Sequence, residues 1–481
     1  MTIATLSAEW AKFRTIRGWV VAMVVAALLT VAVGVWATSG SHGEPCGKIL
    51  PGGQMVGAAC SAPPLGPGGE MVTDSFYFVH QELGGDGAVT ARVASLSSNA
   101  PWAKAGIIVK ASLKQGSPYA AIMVTGAHGV RVQYDYTHDT AVAAASVRWL
   151  RLVRAGDTVT GYDSADGVHW TRAGSVRLAG LPATVQAGLF VTSPESVTDE
   201  NTAATMASAD FDHVTGAGSG WAGQDIGGAT AYNSLSGGFQ STPAGFTVRG
   251  SGDIAPAVAT SAGSGRAADQ GVIGAFAGLI VVLVVGTMFI TAEYRRGLIR
   301  TTLAATPRRG QVLAAKAVVI GGVTFAAGLA GSVAAVLLGE RMLRGSGFII
   351  YPVGGLTQVR VVAGTAALLA LAAVFVLAIG TITRHGAVPV TAGVALIVVP
   401  YFFTGPLAAL HGAAGEWLLR VTPAAGFAIQ GSLTAYPQVN GAYTPQYGYY
   451  PLSPLAGLGV LFAWTALALG LAAFVLSRRD V

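Results

Sequence analysis

Trp19-Val-Val-Ala-Met-Val-Val-Ala-Ala-Leu-Leu-Thr-Val-Ala-Val-Gly-Val-Trp-Ala37 is apolar from end to end, and no charge falls between Arg17 and Glu44. A bilayer core of about 30 Å needs about 20 apolar residues in a helix, so this stretch reads as a membrane span. It is longer than a secretory h-region and lacks an A-x-A closing site, so a retained signal-anchor helix over 18–37 is expected. Five further stretches share its character: 271–292, the segment between Lys316 and Glu340, that between Arg360 and Arg384, about 387–410 with Pro389 and Pro400 inside it, and about 454–476. Composition agrees. Of 481 residues, 52% are apolar and only 11% charged, with a mean hydropathy of +0.55. A soluble protein carries roughly a quarter charged residues, so a cytosolic or secreted globule is excluded. The 66 glycines are aperiodic, which excludes collagen.

The net charge of +6 divides unevenly: residues 38–270 carry a net −5 and the remainder +11. The basic balance therefore flanks apolar spans and does not indicate nucleic-acid binding. With the N-terminus inside, twelve cations fall on inside segments, among them Lys12, Arg295, Arg308, Lys316 and Arg384. Only Arg341, Arg344, Arg360 and Arg420 fall on the short outside loops. That bias predicts cytoplasmic termini and an outside 38–270 in a plasma membrane. Ahead of the first span, residues 1–17 read as an amphipathic elbow helix. Ile3, Leu6, Trp10 and Phe13 share one arc, with Glu9 and Lys12 away from it.

Residues 38–270 change character. Short β-branched and aromatic runs alternate with Gly, Asp and Pro, and Ser164-Ala-Asp-Gly167 reads as a hairpin turn. About ten such runs predict an antiparallel sandwich. Cys46 and Cys60 are the two cysteines, and an even count on the outside predicts a disulfide closing a loop of about 15 residues.

Specific runs carry a resemblance. Asp74-Ser-Phe-Tyr-Phe-Val-His80, Gly85-Asp-Gly-Ala-Val-Thr-Ala-Arg-Val93, Trp102-Ala-Lys-Ala-Gly-Ile-Ile-Val109, Trp149-Leu-Arg-Leu-Val-Arg154 and Ser164-Ala-Asp-Gly-Val-His-Trp170 resemble concanavalin A-like lectin/glucanase jelly rolls over a core of 72–215. Phe246-Thr-Val-Arg-Gly-Ser-Gly-Asp-Ile254 is similar to that family's leading strand but follows the module, so a permuted strand over 244–255 is expected. The resemblance implies an extracellular glycan partner more than glycan cleavage. Retaining hydrolysis needs paired carboxylates about 5–5.5 Å apart, and no E-x-D pattern occurs. Trp102, Trp149 and Trp170 are candidate sugar-stacking residues, with core packing the favoured alternative.

The loop Glu293-Tyr-Arg-Arg-Gly-Leu-Ile-Arg-Thr-Thr-Leu-Ala-Ala-Thr-Pro-Arg-Arg-Gly310 joins the second and third spans. A positive-inside hairpin explains its cations but not its order: an acid at a helix end, a short apolar-faced helix, then a Pro stop. That order resembles the first cytoplasmic loop of ABC-2 type permeases, the membrane subunits of ABC exporters. Ser7-Ala-Glu-Trp-Ala-Lys-Phe-Arg-Thr-Ile-Arg17 is similar to their start. The resemblance implies a six-helix exporter fold whose coupling loop, 293–310, engages a separate ATPase. Its contact residues would be Glu293, Arg295, Arg296, Gly297, Leu298, Ile299, Arg300, Leu303 and Pro307, with Glu293 pairing to cations of the short helix. It also implies a second permease subunit, identical or not, contact with lipids, and a re-entrant hairpin within the outside loop 411–453. No Lys precedes Ser or Thr, so no Walker A loop exists; ATP and Mg would belong to the partner, and this chain would bind no cofactor or metal. With no charge deep in the spans, an amphipathic, lipidic or polymeric substrate is expected. The alternative is a membrane-anchored glycan-binding or sensor protein without transport.

Overall fold

The computed structural model describes residues 3–39, 46–49, 55–58, 63–143, 148–197, 202–216, 220–227, 235–258, 268–298, 301, 308–345, 350–404, 413–441 and 443–478. They fall into two units. One comprises Met1–Gly43, Arg266–Thr434 and Tyr443–Val481, the other Glu44–Gly265 and Ala435–Ala442.

The first unit is helical. A short helix α1 (Ile3–Thr15) turns at Ile16 into α2 (Arg17–Ser39). After the sandwich in the chain come α3 (Ala275–Arg295), α4 (Arg309–Gly345), α5 (Gly355–Thr383), α6 (Ala387–Thr404), α7 (Ala413–Val421) and α8 (Pro454–Arg478). Six of these, α2 to α6 and α8, are long and apolar enough to cross a membrane. Small residues let them approach. A Cβ on Gly34 would lie 2.5 Å from the Gly271 carbonyl oxygen, and one on Gly286 2.6 Å from that of Ala373. Pro389 sits in the first turn of α6, where its missing N–H costs nothing. Pro400 has no proton to give Leu396, and the helix widens to a π turn over Val394–Val398 just before it. The segment Pro423–Gln430 after α7 is a wholly buried 3₁₀ stretch. Arg360 of α5 holds its end, donating to the carbonyls of Ile429 and Gly431.

Helix α1 turns part of its apolar arc inward. Glu9 and Phe13 are buried, whereas Ile3 is 88% exposed and Trp10 47%. Ion pairing of Glu9, described below, holds that side of the helix against its neighbours.

The second unit is a two-sheet, jelly-roll-like antiparallel sandwich of fourteen strands among the described residues. In chain order these are β1 (Phe76–Gly84), β2 (Gly87–Ser97), β3 (Lys104–Lys110), β4 (Tyr119–Thr125), β5 (Val130–Tyr134), β6 (His138–Ala143) and β7 (Arg148–Ala155). They continue as β8 (Thr158–Ser164), β9 (Thr171–Arg177), β10 (Thr184–Thr192), β11 (Ala207–Thr215), β12 (Ala222–Ile226), β13 (Gly238–Thr242) and β14 (Gly245–Gly250). One sheet runs β9-β8-β7-β2-β11-β14-β13 and the other β12-β1-β10-β3-β4-β5-β6. Val89, Ala91 and Val93 meet Ile107, Ile122 and Leu189 in the core between them. The second sheet is buried on its outer face too, where Phe76, Phe78, Ile108, Met123 and Phe190 cluster with Ile254. The late strand does return: β14 pairs with β11 and β13, and Ile254–Pro256 pairs with Val72–Asp74. The 164–167 turn joins β8 to β9, with Gly167 at φ +76°.

Candidate functional site

One end of the helical unit collects its charge. Glu9 and Lys12 come from α1, Glu293 from the last turn of α3, and Lys316 from about two turns into α4. Lys316 Nζ lies 2.7 Å from Glu9 Oε2 and 2.6 Å from Glu293 Oε1. Lys12 Nζ lies 2.8 Å from Glu9 Oε1 and 3.2 Å from Glu293 Oε1. Two cations and two carboxylates make a neutral network, the only arrangement that tolerates such burial. Burial pushes the Lys12 ammonium down, but its bonds and proximity to Glu9 and Glu293 outweigh that and hold it above the ordinary lysine value. Beneath the network Lys316 rests on the Phe289 ring, 4.9 Å from its centroid. Phe289 in turn meets Trp19 and Phe13 edge-on at 4.9 and 6.1 Å. Glu293 Oε2 is buried with no hydrogen-bond partner.

Arg300, the cation of the short helix that Glu293 was expected to cap or pair with, lies outside the described residues. Glu293 faces back to α1 and α4, where the buried Lys316 offers a dry partner that the exposed Arg295 and Arg296 cannot. Helix α3 stops three residues on: Arg296 and Gly297 donate back to Ala292 and Tyr294, and Gly297 takes φ +66°. Leu298 is 48% exposed just beyond. Of the expected coupling residues, Glu293, Arg295, Arg296, Gly297 and Leu298 thus form one helix end and turn. Ile299, Arg300, Leu303 and Pro307 lie outside the described residues. Arg309 donates to the Leu476 carbonyl of α8, and Arg384 at the end of α5 stands 5.3 Å from the Tyr294 ring. The segments expected to be cytoplasmic thus gather at one end.

The sequence had marked Glu293 but missed its partners. The signal was present. Glu9 is the single acid among the first 43 residues, and Lys316 the single lysine after 114. Lone charges in apolar surroundings are expected to pair.

In the sandwich the three tryptophans are not assembled. Trp102 is buried in the loop before β3, stacked 3.7 Å from His128. Trp149 and Trp170 belong to the other sheet, half-buried, with Arg151 4.2 Å over the Trp170 ring. No ring contact joins the three among the described residues, so they form no common sugar platform. The buried chemistry lies on the outer face of the second sheet. Asp74 Oδ2 accepts from Lys110 at 2.6 Å, Tyr136 at 2.7 Å and the Gly116 amide at 2.8 Å. Burial lowers the Lys110 ammonium despite Asp74, and burial with the Asp74 charge pushes the Tyr136 phenol far up. No cluster of three metal-ligating side chains occurs among the described residues. Cys46 opens a strand paired to Met55–Ala58, while Cys60 and any bridge to it lie outside the described residues.

No protein-family model matches the chain, and no curated protein matches it. Among solved structures, it is similar to a functionally unknown protein from Saccharomyces cerevisiae (16% identity, 30% of this chain and 74% of that one, TM-score 0.23). It is also similar to the GH43 protein BlXynB from Bacillus licheniformis (19% identity, 29% and 27%, TM-score 0.21). A third is SCP-B, an eqolisin-family peptidase solved with the tripeptide Ala-Ile-His (11% identity, 37% and 98%, TM-score 0.24).

Proposed function

We propose that this chain is the membrane permease subunit of an ATP-driven exporter, similar to the ABC-2 type, with residues 38–270 outside the cell. A separate ATPase, carrying ATP and Mg, would dock on 293–310, and a second permease would complete the pathway for an amphipathic, lipidic or polymeric substrate. One observation carries the reading. The exposed turn at 295–298 follows directly on Glu293, which is tied to both α1 and α4. A push on that turn would therefore reach three helices together, which a merely solvated basic loop has no need to do.

The test is a pull-down of the partner ATPase with Leu298→Asp/Leu303→Asp. Truncating interface hot spots costs about 2–4 kcal/mol, so docking should weaken roughly thirty- to a thousand-fold while the chain still inserts. An active ATPase recovered at wild-type yield would sink the coupling assignment, and a wild-type chain that brings down no ATPase would favour a membrane-anchored glycan-binding or sensor protein.

A further inference from the structure

The sandwich is not closed along one side. Between the edge strands β6 and β9, one from each sheet, a cleft of about 200 Å³ enters the core. Its walls are Val132, Leu152, Val159 and Val176, with Ala120 and Ala173. Gly161 and Gly174 stand directly opposite each other across β8 and β9, and both line it. Glycine inside a strand weakens the strand and marks places where something approaches the backbone closely. A Cβ on Gly174 would crowd Val132 at 3.3 Å, but no neighbour within the protein explains Gly161. A Cβ on Gly161 would meet Ile122 and Leu152 at 3.5 Å and Val132 at 3.6 Å, which is ordinary contact. Register shifts interrupt the β8–β9 ladder beside Gly161 and the β5–β6 ladder beside Val130. Both edge strands are thus displaced where the cleft opens, as bulges do beside binding sites.

The lining chooses the ligand. No charged or amide side chain lines the cleft; Tyr134, Thr140 and Ser175 provide the hydroxyls, that of Ser175 already bonded to Thr160, and Tyr134 stacks on the exposed His138 at 4.3 Å. A sugar would lose water from several hydroxyls and find few partners. An apolar group loses nothing, and an engineered apolar cavity of about 150 Å³ in another protein binds benzene. We propose that this inter-sheet cleft binds the apolar tail of an amphipathic small molecule, with its polar end held at the mouth by Tyr134 and Thr140. The site is independent of the coupling loop and does not require that the chain transport anything.

The test uses the full chain in lipid nanodiscs and a photoactivatable octanol carrying a diazirine, with labelled peptides mapped by mass spectrometry. Peptides spanning 119–134 and 158–177 should label saturably and be protected by excess octanol but not by cellotriose. Gly161→Ala places one methyl group in the cleft and should lower labelling there about four-fold, while Gly161→Val should lower it at least ten-fold. Gly161→Ala should also unfold no earlier on heating, since a filled cleft stabilises the sandwich while excluding the probe. Labelling that is unchanged in folded Gly161→Ala, or no higher than on exposed strands elsewhere, overturns the proposal. Protection by cellotriose would do so too, in favour of a glycan.

Discussion

Lys316 Nζ and Glu9 Oε2 are 2.7 Å apart although 307 positions separate them in the chain, and neither side chain is more than 2% exposed. The contact makes α1 part of the helical bundle rather than a flank lying beside it. The shared partners Lys12 and Glu293 turn a single pair into a network.

Removing Lys316 would strand two buried carboxylates on the remaining Lys12. Lys316→Met should cost about 3–5 kcal/mol, the usual penalty for breaking a buried pair from one side. Glu9→Met/Lys316→Met removes one charge of each sign and leaves the Lys12–Glu293 pair, so it should recover much of that loss. Thermal unfolding of the purified chain in one detergent compares the three. Equal midpoints for wild type and Lys316→Met would show that the network holds nothing.

Lys12 supplies a pH signature. Its folded value lies above the ordinary 10.5, so its contribution is fully present below 10.5 and fades as pH rises through the higher folded value. Trp10 and Trp19 flank the network on α1 and α2, and Trp19 packs on Phe289. Their emission should stay constant to about the ordinary lysine value and shift above it. In Lys12→Met the alkaline step should vanish; its persistence would assign the transition to another group.

The buried segment 423–430 is pinched between α5 and α8. A Cβ on Gly457 would lie 2.6 Å from Ala428 Cβ and press still harder on the Ala425 carbonyl, which cannot swing aside. Gly457→Ala should therefore cost about 1–3 kcal/mol as overpacking. A cysteine at Ala428, 3% exposed in the native packing, should resist maleimide in the wild-type background and react in Gly457→Ala. Ready labelling in both would mean that the segment is not held.

Six apolar helices and a sandwich are legible in the sequence because burial writes them as hydropathy and alternation. The third span, α4, shows the limit. Its apolar run begins after Lys316, yet the helix starts at Arg309, because a lysine with two carboxylate partners no longer marks a boundary. The burial of Glu9 is hidden in the sequence for the same reason. Glu9 counts as polar in any one-dimensional pattern, and only the fold reveals that its neutralising partners come from α4 and its own next turn. Residue type leaves the tryptophans between packing and exposure; in the fold Trp102 is buried while Trp149 and Trp170 are half-buried. The cleft had a faint signal in Gly161 and Gly174, but only strand register brings the two opposite each other.

The segment 435–442 belongs with the sandwich although it comes from the far side of the chain, between 423–430 and α8. Gln438 is 5% exposed there and reaches toward the Thr137 carbonyl of the sandwich. The polypeptide thus crosses between the units four times rather than twice, and the sandwich is not a detachable cassette. Excising 44–265 would leave a strip of eight residues shaped to a surface that no longer exists. Grafting the same span elsewhere would carry the complementary scar. A change of length in the loop before the last helix would therefore be felt in the sandwich as well.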